Sequence, residues 1–238
     1  MRDLTVIVPT YNEYENLPLV LERVRAAVTS ERLTMLVVDD ASPDGTGELA
    51  DTLAAHATDV RVLHRSGKGG LAGAYVEGFA RAMAAGADLV VQLDADLSHD
   101  PADIPRLIAA IDAGADVALG SRYVPGGETP GWSIGRRLLS RVGGIYAAAV
   151  LGMPIADPTG GYRCFTRRAL HHIRFEAVAT HGYGFQIEMA YRATRAGLTI
   201  VEVPIVFRER AHGVSKMSAG IAMEALLRVP LMRVSRPA

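Results

Sequence analysis

The segment LVVQLDADLSHDP, Leu89–Pro101, passes within a few residues from apolar side chains to a cluster of acids. Its opening residues are mostly apolar and β-branched, which predicts a buried strand. Asp94 and Asp96 follow at once, and residues i and i+2 of an extended segment point the same way. Two carboxylates that face one point repel each other unless a cation lies between them, and Mg²⁺ and Mn²⁺ prefer carboxylate oxygen. The segment therefore predicts a strand that leads into a divalent-metal site.

A helix that starts here gives the same acids a second interpretation, in which they cap the helix. Asp100 is a suitable N-cap, Pro101 suits the first helical position, and apolar residues recur at helical spacing over 104–111. We therefore assign Asp100 to the cap and keep Asp94 and Asp96 for the metal.

Strand-like and helix-like segments alternate on both sides of this segment. Further strands are predicted near 4–8, 34–40, 60–63, 115–120 and 198–207, with a short one inside ADPTGGYRCF; helices are predicted near 17–28, 46–57, 70–85, 101–111, 136–150 and 185–196. Four strand–helix units followed by a strand predict an α/β fold with a mostly parallel central sheet and helices on both faces.

Polar clusters follow three of the predicted strands: PTYNE after the first, DDASPDGT after the second and DADLSHD after the fourth. Ligands of such sheets bind beyond the carboxyl ends of the strands, so we expect these clusters to share one edge. Asp39 and Asp40 can accept hydrogen bonds from a base or ribose, or form an Asx-turn, and both interpretations stay open. The glycine loop RSGKGGLAGA (65–74), with Lys68, suits an anion at a helix start but lacks the P-loop pattern.

The composition excludes several classes of protein. Lys and Arg total 25 and Asp and Glu total 26 among 238 residues, so the chain lacks the basic excess of a general nucleic-acid binder. The single cysteine, Cys164, excludes a disulfide framework and is interpreted as a small buried hydrophobe. No stretch approaches the ~20 apolar residues that span a bilayer, so we expect a soluble or peripheral protein.

A series of motifs, taken together, resembles glycosyltransferase family 2, and within it the polyprenyl-phosphate (dolichyl-phosphate) mannosyltransferases. These motifs are VIVPTYNE, VVDDASPDGT, KGGLAGAY, LDADLSHDP, GSRYVPGG, DPTGGYRCF, GYGFQIEM and VPIVFRERAHGVSK, in order over nearly the whole chain. The resemblance implies a Rossmann-like GT-A fold in a catalytic domain over 1–216. Residues 1–120 would form its nucleotide-sugar-binding half and 121–216 its acceptor-binding half, followed by an amphipathic C-terminal tail, 217–238, with no transmembrane segment.

The residues and the resemblance together give a set of candidate site residues. The donor-binding residues are Pro9, Tyr11, Glu13, Asp39, Asp40, Lys68, Asp94, Ala95, Asp96, Arg210 and Lys216. The metal ligands are Asp94, Asp96 and Ser98, and Ser98 stands where some relatives carry Gln. The acceptor phosphate is bound by Arg122, Arg136 and Ser140, because the planar fork of arginine suits phosphate oxygens. The catalytic residues are Asp96, Arg122 and Arg136, and Arg137 is a neighbour that can substitute for Arg136.

The reaction that the resemblance implies is inverting transfer of mannose from GDP-mannose to a polyprenyl monophosphate. The product is a polyprenyl β-D-mannosyl phosphate, and the cofactor is Mg²⁺ or Mn²⁺. The expected partners are GDP-mannose, the lipid and a membrane surface, without nucleic acid. Amphipathic segments at 136–150 and 217–233 predict peripheral attachment at the cytoplasmic face of a membrane. Many relatives continue into transmembrane helices, so a separate membrane-anchoring protein is a further candidate partner.

Three alternatives stay open at this point. The enzyme transfers glucose or another hexose to the lipid, or to a saccharide. It is a nucleotidyltransferase that uses the same metal and diphosphate, and then it releases pyrophosphate in place of a nucleoside diphosphate. It is a non-catalytic nucleotide-sugar-binding protein, an alternative against which Asp94, Asp96, Arg122 and Lys216 argue.

Overall fold

The structure, a computed structural model, describes residues 1–178, 180, 182–209 and 228–233. Its strands are β1 (Asp3–Thr10), β2 (Arg32–Asp39), β3 (Val60–His64), β4 (Leu89–Gln92), β5 (Val117–Ser121), β6 (Arg163–Thr166) and β7 (Ile200–Pro204). Its α-helices are α1 (Leu17–Ala27), α2 (Thr46–His56), α3 (Gly70–Ala84), α4 (Ile104–Asp112), α5 (Ile134–Leu151), α6 (Arg167–Ile173) and α7 (Gly182–Arg195). Short 3₁₀ turns cover Pro101–Asp103 and Phe175–Ala177.

The described strands form a seven-stranded sheet in the order β3-β2-β1-β4-β6-β5-β7. Every neighbouring pair is parallel except those that include β6, which runs antiparallel to both β4 and β5. The prediction of a mostly parallel sheet is therefore confirmed. Because β6 is reversed, the residues that precede it lie at the same edge as the carboxyl ends of the other strands.

The helices cover both faces of the sheet, as predicted. On one face, α1, α2 and α4 pack against the strands, and the predicted inner face of α4 (Ile104, Leu107, Ile108 and Ile111) is buried. On the other face lie α3, α6 and α7. Full burial of one such aliphatic side chain contributes roughly 1.5–3 kcal/mol, so the two apolar layers are the main source of stability.

Helix α3 lies close against the sheet at Gly78. A Cβ atom placed on Gly78 would lie 2.7 Å from Cγ2 of Ile7 in β1. The aromatic side chains of α3 continue the same layer: the Phe79 ring meets Phe165 of β6 at 5.6 Å between centroids, edge to face. The middle of the glycine-studded helix is therefore packed closely against the sheet.

Helix termini follow the local capping chemistry. Asp100 accepts a hydrogen bond from the backbone N of Ala102 at 3.0 Å, so its predicted capping role is confirmed at the 3₁₀ turn that leads into α4. Helix α5 begins two residues earlier than predicted because Ser133 accepts from the backbone N of Arg136. It ends at Gly152, whose φ of 66° favours glycine.

Two elements differ from the prediction. Helix α6 was not predicted; it follows β6 directly, with Thr166 as its N-cap accepting from the backbone N of Ala169 at 3.0 Å. Strand β7 is shorter than the predicted 198–207 and ends at Pro204. Cys164 lies in β6 with no exposed surface, and burial raises its pKa to about 12, which confirms its interpretation as an inert buried residue.

Part of the predicted C-terminal tail packs against the fold. Residues 228–233 are helical, and Val229 and Met232 are buried against α5 and α7. Arg233 donates to the backbone oxygen of Val150 at 2.7 Å, while Leu231 stays exposed. Residues 217–227 and 234–238 of the tail lie outside the described residues. Among the helices that the structure describes, none has the length and apolarity needed to cross a bilayer.

Candidate functional site

The predicted polar clusters meet at one edge of the sheet. The order of the strands places the carboxyl ends of β2, β1 and β4 side by side, and the reversed β6 is next to β4. The end of β5 and the segment 157–161, which leads toward β6, complete this edge. The convergence expected from the sequence therefore occurs.

Asp39 at the end of β2 is held by short-range hydrogen bonds. It accepts from Oγ1 of Thr10 at 3.0 Å, from the backbone N of Ser42 at 3.0 Å and from Oγ of Ser42 at 2.6 Å. The backbone bond to Ser42 spans three residues, one more than in an Asx-turn, so Asp39 makes a local turn contact of a different kind. Contact of Asp39 with a base or ribose stays a prediction.

Asp40 is linked to the glycine loop rather than to solvent. It pairs with the Arg65 guanidinium and accepts from the backbone N of Gly70 at 2.7 Å. Arg65 also donates to Glu77 at 2.8 Å and lies so close to α3 that a Cβ on Gly73 would come within 2.6 Å of its Nη2. The glycines at the start of α3 therefore make room for Arg65, a residue that the sequence analysis did not assign.

The remaining donor candidates of the first half lie around the end of β1. The Nζ atom of Lys68 is 4.0 Å from the centroid of the Tyr11 ring, a cation–π contact. Glu13 accepts from Nδ2 of Asn16 at 2.8 Å, and Pro9 is buried within β1. The structure thus brings Lys68 and Tyr11 together at the edge where the sequence predicts the donor.

The two acids of the opening segment lie in a turn, which we call the carboxylate turn (residues 93–98). Strand β4 ends at Gln92, so the extended geometry assumed for Asp94 and Asp96 does not hold. Leu97 has a φ of 59°, a left-handed conformation that is strained for a non-glycine residue. Asp96 is buried and accepts from the backbone N of Ser98 at 3.0 Å, and Ala95 between the acids is also buried.

Tyr75 of α3 fixes one of these carboxylates. Its hydroxyl donates to Oδ1 of Asp94 at 2.7 Å. Burial and the negative charge of Asp94 raise the pKa of Tyr75, so the hydroxyl keeps its proton and acts as a donor. Nδ1 of His99 lies 4.0 Å from the other oxygen, Oδ2, and burial lowers the pKa of His99, whereas Asp94 and Asp96 act in the opposite direction.

The donor atoms around the carboxylate turn fit a hard divalent cation. Asp94 and Asp96 offer carboxylate oxygens, and the buried Oγ of Ser98 has no hydrogen-bond partner in the described part of the chain. Within the described residues, no group of three or more His, Cys, Asp or Glu side chains is arranged to hold an ion. The carboxylate turn would therefore share an ion with water or with a substrate rather than enclose it.

Arg122, after β5, is fixed by a buried acid. Its Nε and Nη2 donate to the two carboxylate oxygens of Asp157 at 2.7 Å each, and Nη2 also donates to Oγ1 of Thr159 at 2.7 Å. Burial opposes ionisation of Asp157, but the charge and hydrogen bonds of Arg122 prevail, so its pKa lies below the ordinary value. The predicted phosphate ligand is thus already paired within the protein.

Aromatic side chains surround Arg122 and connect it to the carboxylate turn. The Phe207 ring lies 5.1 Å from the His99 ring and 5.4 Å from the Trp132 ring. The guanidinium carbon of Arg122 is 5.6 Å from the ring centroids of both Trp132 and Phe207. The cluster therefore places the carboxylate turn and the arginine side of the site next to each other.

The other acceptor candidates lie beside this cluster. The guanidinium of Arg136 stacks 4.1 Å above Trp132 and lies 3.3 Å from Glu209, and Ser140 accepts from the Tyr123 hydroxyl at 2.7 Å. Arg137, by contrast, donates to Oγ1 and to the backbone oxygen of Thr129. The two side chains therefore make different contacts, and the expectation that Arg137 can substitute for Arg136 stays a prediction.

A buried arginine holds the segment that carries Asp157. Arg163 in β6 is 1% exposed and donates to the backbone oxygens of Gly160 and Pro158 at 2.9 and 3.0 Å. Burial lowers the pKa of Arg163 to about 10, so it stays a cation at neutral pH. Gly161 lies next to the carboxylate turn, since a Cβ there would be 3.7 Å from Oδ2 of Asp94.

Two of the predicted donor-binding residues, Arg210 and Lys216, lie outside the described residues. Glu188, within the motif GYGFQIEM, is buried and accepts hydrogen bonds from Thr180 and from Arg192, so it acts as a structural acceptor.

The sequence analysis missed Tyr75, Asp157, Trp132 and Phe207 as parts of the site. Tyr75 could have been found from one signal: a tyrosine on the buried face of a helix needs a hydrogen-bond partner for its hydroxyl. The other three are placed by contacts between segments distant in sequence.

A mostly parallel sheet with a carboxylate turn after β4 and a reversed strand beside it is the GT-A fold of glycosyltransferases. The chain belongs to the family described as glycosyl transferase family 2, whose model matches residues 5–174. The resemblance read from the motifs is thereby confirmed.

The relatives narrow the comparison. The chain is 50% identical over 229 residues to the undecaprenyl-phosphate mannosyltransferase of Micrococcus luteus, covering 96% of this chain and 93% of that one. It is 49% identical over 225 residues to the polyprenol monophosphomannose synthase of Mycolicibacterium smegmatis, covering 94% and 84%. It is 37% identical to the dolichol-phosphate mannosyltransferase of Pyrococcus furiosus, covering 94% of this chain and 61% of that one.

The fold also matches solved structures. The crystal structure of glucosyl-3-phosphoglycerate synthase from Mycobacterium tuberculosis, in complex with Mn²⁺, UDP and glucosyl-3-phosphoglycerate, superposes with a TM-score of 0.72. The match covers 100% of this chain and 81% of that one, at 22% identity. At this identity the likeness concerns the fold, and it confirms the GT-A prediction.

Proposed function

We propose that this chain transfers mannose from GDP-mannose to a polyprenyl monophosphate and releases GDP. The observation that carries the proposal is that Phe207 contacts both His99, which follows the carboxylate turn, and Arg122. The proposed metal site and the proposed ligands of the acceptor phosphate would therefore lie next to each other. The identity of about half of all residues to enzymes named for mannosyl transfer to polyprenyl phosphates supports the choice of sugar and acceptor.

Residues 1–120 would bind the donor and residues 121–216 the acceptor, within one catalytic domain over 1–216. Lys68 and Tyr11 lie where a nucleoside diphosphate would reach the ends of β1 and β2. Arg210 and Lys216 would add charge to the donor diphosphate. The tail, 217–238, would serve attachment to a membrane surface, with or without an anchoring protein.

The carboxylate turn would hold Mg²⁺ or Mn²⁺ through Asp94 and Asp96, with Ser98 as a further oxygen. When bound, the cation supplies positive charge to the departing diphosphate. Tyr75 keeps the Asp94 carboxylate oriented, and the hydrogen bond from the Ser98 backbone does the same for Asp96.

The acceptor needs no separate general base. The second pKa of a phosphate monoester is about 6, so the acceptor is largely a dianion at neutral pH and is already nucleophilic. The arginine cluster, with Arg122 fixed by Asp157 and Arg136 stacked on Trp132, would reduce the repulsion between the two anions. A single displacement at the anomeric carbon inverts its configuration and yields the β-linked product.

A membrane surface would present the lipid. The outer side of α5 carries an apolar face whose members are all more than half exposed: Ile134, Leu138, Leu139, Val142 and Ile145. Arginines on the same helix suit anionic headgroups, so we expect weak, salt-sensitive attachment. Complete sedimentation with protein-free liposomes at high salt would contradict this part of the proposal.

Incubation with radiolabelled GDP-mannose and polyprenyl phosphate, followed by lipid extraction, tests the reaction. We expect label in the lipid phase and release of GDP, both abolished by a chelator and restored by Mn²⁺ or Mg²⁺. Parallel assays with UDP-glucose test the hexose. Label transferred from UDP-glucose alone would overturn the choice of donor, and release of pyrophosphate would identify a nucleotidyltransferase.

A further inference from the structure

A groove runs along one flank of α5, between this helix and residues 152–156. Its cavity volume is about 530 Å³, and its lining is apolar at Ile145, Ala148, Ala149 and Met153. Cavities of ~300–1,000 Å³ hold drug-sized ligands, so the groove has room for a branched hydrocarbon of a few isoprene units.

The polar residues of the groove lie at its link to the arginine side of the site. The lining contains Tyr123 and Arg141, and the Tyr123 hydroxyl donates to Ser140. The guanidinium carbon of Arg122 lies 5.3 Å from the Tyr123 ring. A phosphate near Arg122 and Ser140 would therefore have the start of an apolar groove next to it.

We propose that this groove, which we call the α5 groove, binds the first isoprene units of the acceptor, those nearest the phosphate. The inference rests on the proposed function, because it assumes a polyprenyl phosphate as acceptor. The choice of occupant follows from charge and continuity: arginine and tyrosine at one part of the lining suit a phosphate, and the remaining lining suits hydrocarbon alone. Ile145 belongs both to the groove and to the exposed apolar face of α5, so the chain would leave the groove toward the membrane surface.

The test uses acceptors that need no membrane. For the unaltered protein, kcat/KM is compared for farnesyl phosphate and for isopentenyl phosphate, each with GDP-mannose. Ala149→Trp fills the groove from an exposed position on α5, and Ala109→Trp adds the same side chain to the exposed surface of α4 as a matched control. We expect Ala149→Trp to lower the preference for farnesyl phosphate at least about tenfold, because the filled groove no longer buries the additional hydrocarbon, and Ala109→Trp to keep the preference of the unaltered protein.

An unchanged preference in Ala149→Trp would overturn the groove assignment while leaving the proposed function standing. If the unaltered protein transfers no sugar to any polyprenyl phosphate, the proposed function fails and the groove assignment with it. A second measurement does not depend on the folding of a variant: a farnesyl phosphate with a diazirine on its second isoprene unit is photolysed on the unaltered protein. Label within 145–156 supports the assignment, and label confined to other segments overturns it.

Discussion

The Tyr75 hydroxyl on α3 donates a hydrogen bond of 2.7 Å to Oδ1 of Asp94 in the carboxylate turn. The contact joins a helix of one face of the sheet to the acid that follows β4. The hydrogen bond fixes one oxygen of the carboxylate. Because the carboxylate is planar, it also restricts the position of the other oxygen. Tyr75 therefore acts as a positioning residue for the proposed metal site.

Tyr75→Phe removes this hydrogen bond and leaves the ring in place. Because a hydrogen bond to a charged group contributes ~1.5–3 kcal/mol, we expect Mn²⁺ affinity and kcat/KM to fall about tenfold or more. Mn²⁺ binding measured by electron paramagnetic resonance checks the first effect without turnover. Tyr162→Phe is the matched control, since its hydroxyl donates to the backbone oxygen of Asp100 instead; equal losses in both variants would contradict the positioning role.

Asp96→Ala removes the second acid of the carboxylate turn. We expect turnover to fall about 10²-fold or more, because charge developing on the leaving diphosphate loses its counter-ion. The free energy of unfolding should fall by ~1–3 kcal/mol, since the backbone N–H of Ser98 loses its acceptor. Asp103→Ala, which removes a partner of the exposed Arg106, is the control. Near-normal turnover in Asp96→Ala would contradict the metal assignment.

Asp157→Asn breaks a buried ion pair and leaves Arg122 without its counter-charge. We expect the free energy of unfolding to fall by ~3–5 kcal/mol at neutral pH, measured by urea denaturation. Because the pKa of Asp157 is lowered in the folded state, the pair stabilises fully above the ordinary Asp value and loses this effect as the pH falls toward the lowered pKa. The difference between the two proteins should therefore shrink on acidification below about pH 4. A difference that stays constant there would show that the charge of Asp157 is not its source.

Arg136→Ala and Arg137→Ala separate two neighbouring cations. Arg136 stacks on Trp132 beside Glu209, whereas Arg137 is tied to Thr129. We expect Arg136→Ala to raise KM for the acceptor about tenfold, which corresponds to ~1.4 kcal/mol, and Arg137→Ala to leave it nearly unchanged. Steady-state kinetics with polyprenyl phosphate as the varied substrate decide this, and similar effects of both substitutions would contradict the assignment of Arg136 alone.

Gly78→Ala tests the close approach of α3 to β1. The new Cβ would meet Cγ2 of Ile7 at 2.7 Å, so we expect a net loss of ~1–3 kcal/mol from overpacking despite the better helix propensity of alanine. Gly143→Ala in α5 meets no atom within 4 Å and should stabilise the fold by up to ~1 kcal/mol. Thermal unfolding of both variants gives the comparison, and a Gly78→Ala protein as stable as the parent would refute the packing argument.

Regular alternation made much of the fold predictable. The apolar spacing of α4 and the short apolar runs of β1 and β2 are local signals, and they led to the correct sheet edge. The reversed direction of β6 carries no local signal, because the strand propensity of four residues does not depend on whether the strand pairs parallel or antiparallel. Helix α6 was missed since its seven residues are mostly basic or histidine, with few apolar positions to reveal a period.

The acids and arginines of the candidate site that directly follow strands could be predicted from the sequence. Their ion-pair partners in distant segments could not. Arg122 was assigned to a phosphate from its motif, but Asp157, its partner 35 residues away, was quoted only as part of the motif DPTGGYRCF. The premise that Asp94 and Asp96 share an extended strand was wrong, because β4 ends at Gln92 and Leu97 adopts a left-handed conformation. Long-range pairs and backbone turns of this kind depend on the assembled sheet.

The reversed strand β6 also limits how the enzyme can move. Hydrogen bonds run without interruption from β4 through β6 to β5, so the regions assigned to donor and acceptor belong to one continuous sheet. Among the described strands, this continuous sheet lacks the flexible connection that a hinge between two lobes needs, such as the hinge that closes kinases around ATP. Movement during turnover would then be confined to the loops at the edge of the sheet. Hydrogen exchange should therefore report changes in protection in those loops, while β4, β5 and β6 stay equally protected with and without donor.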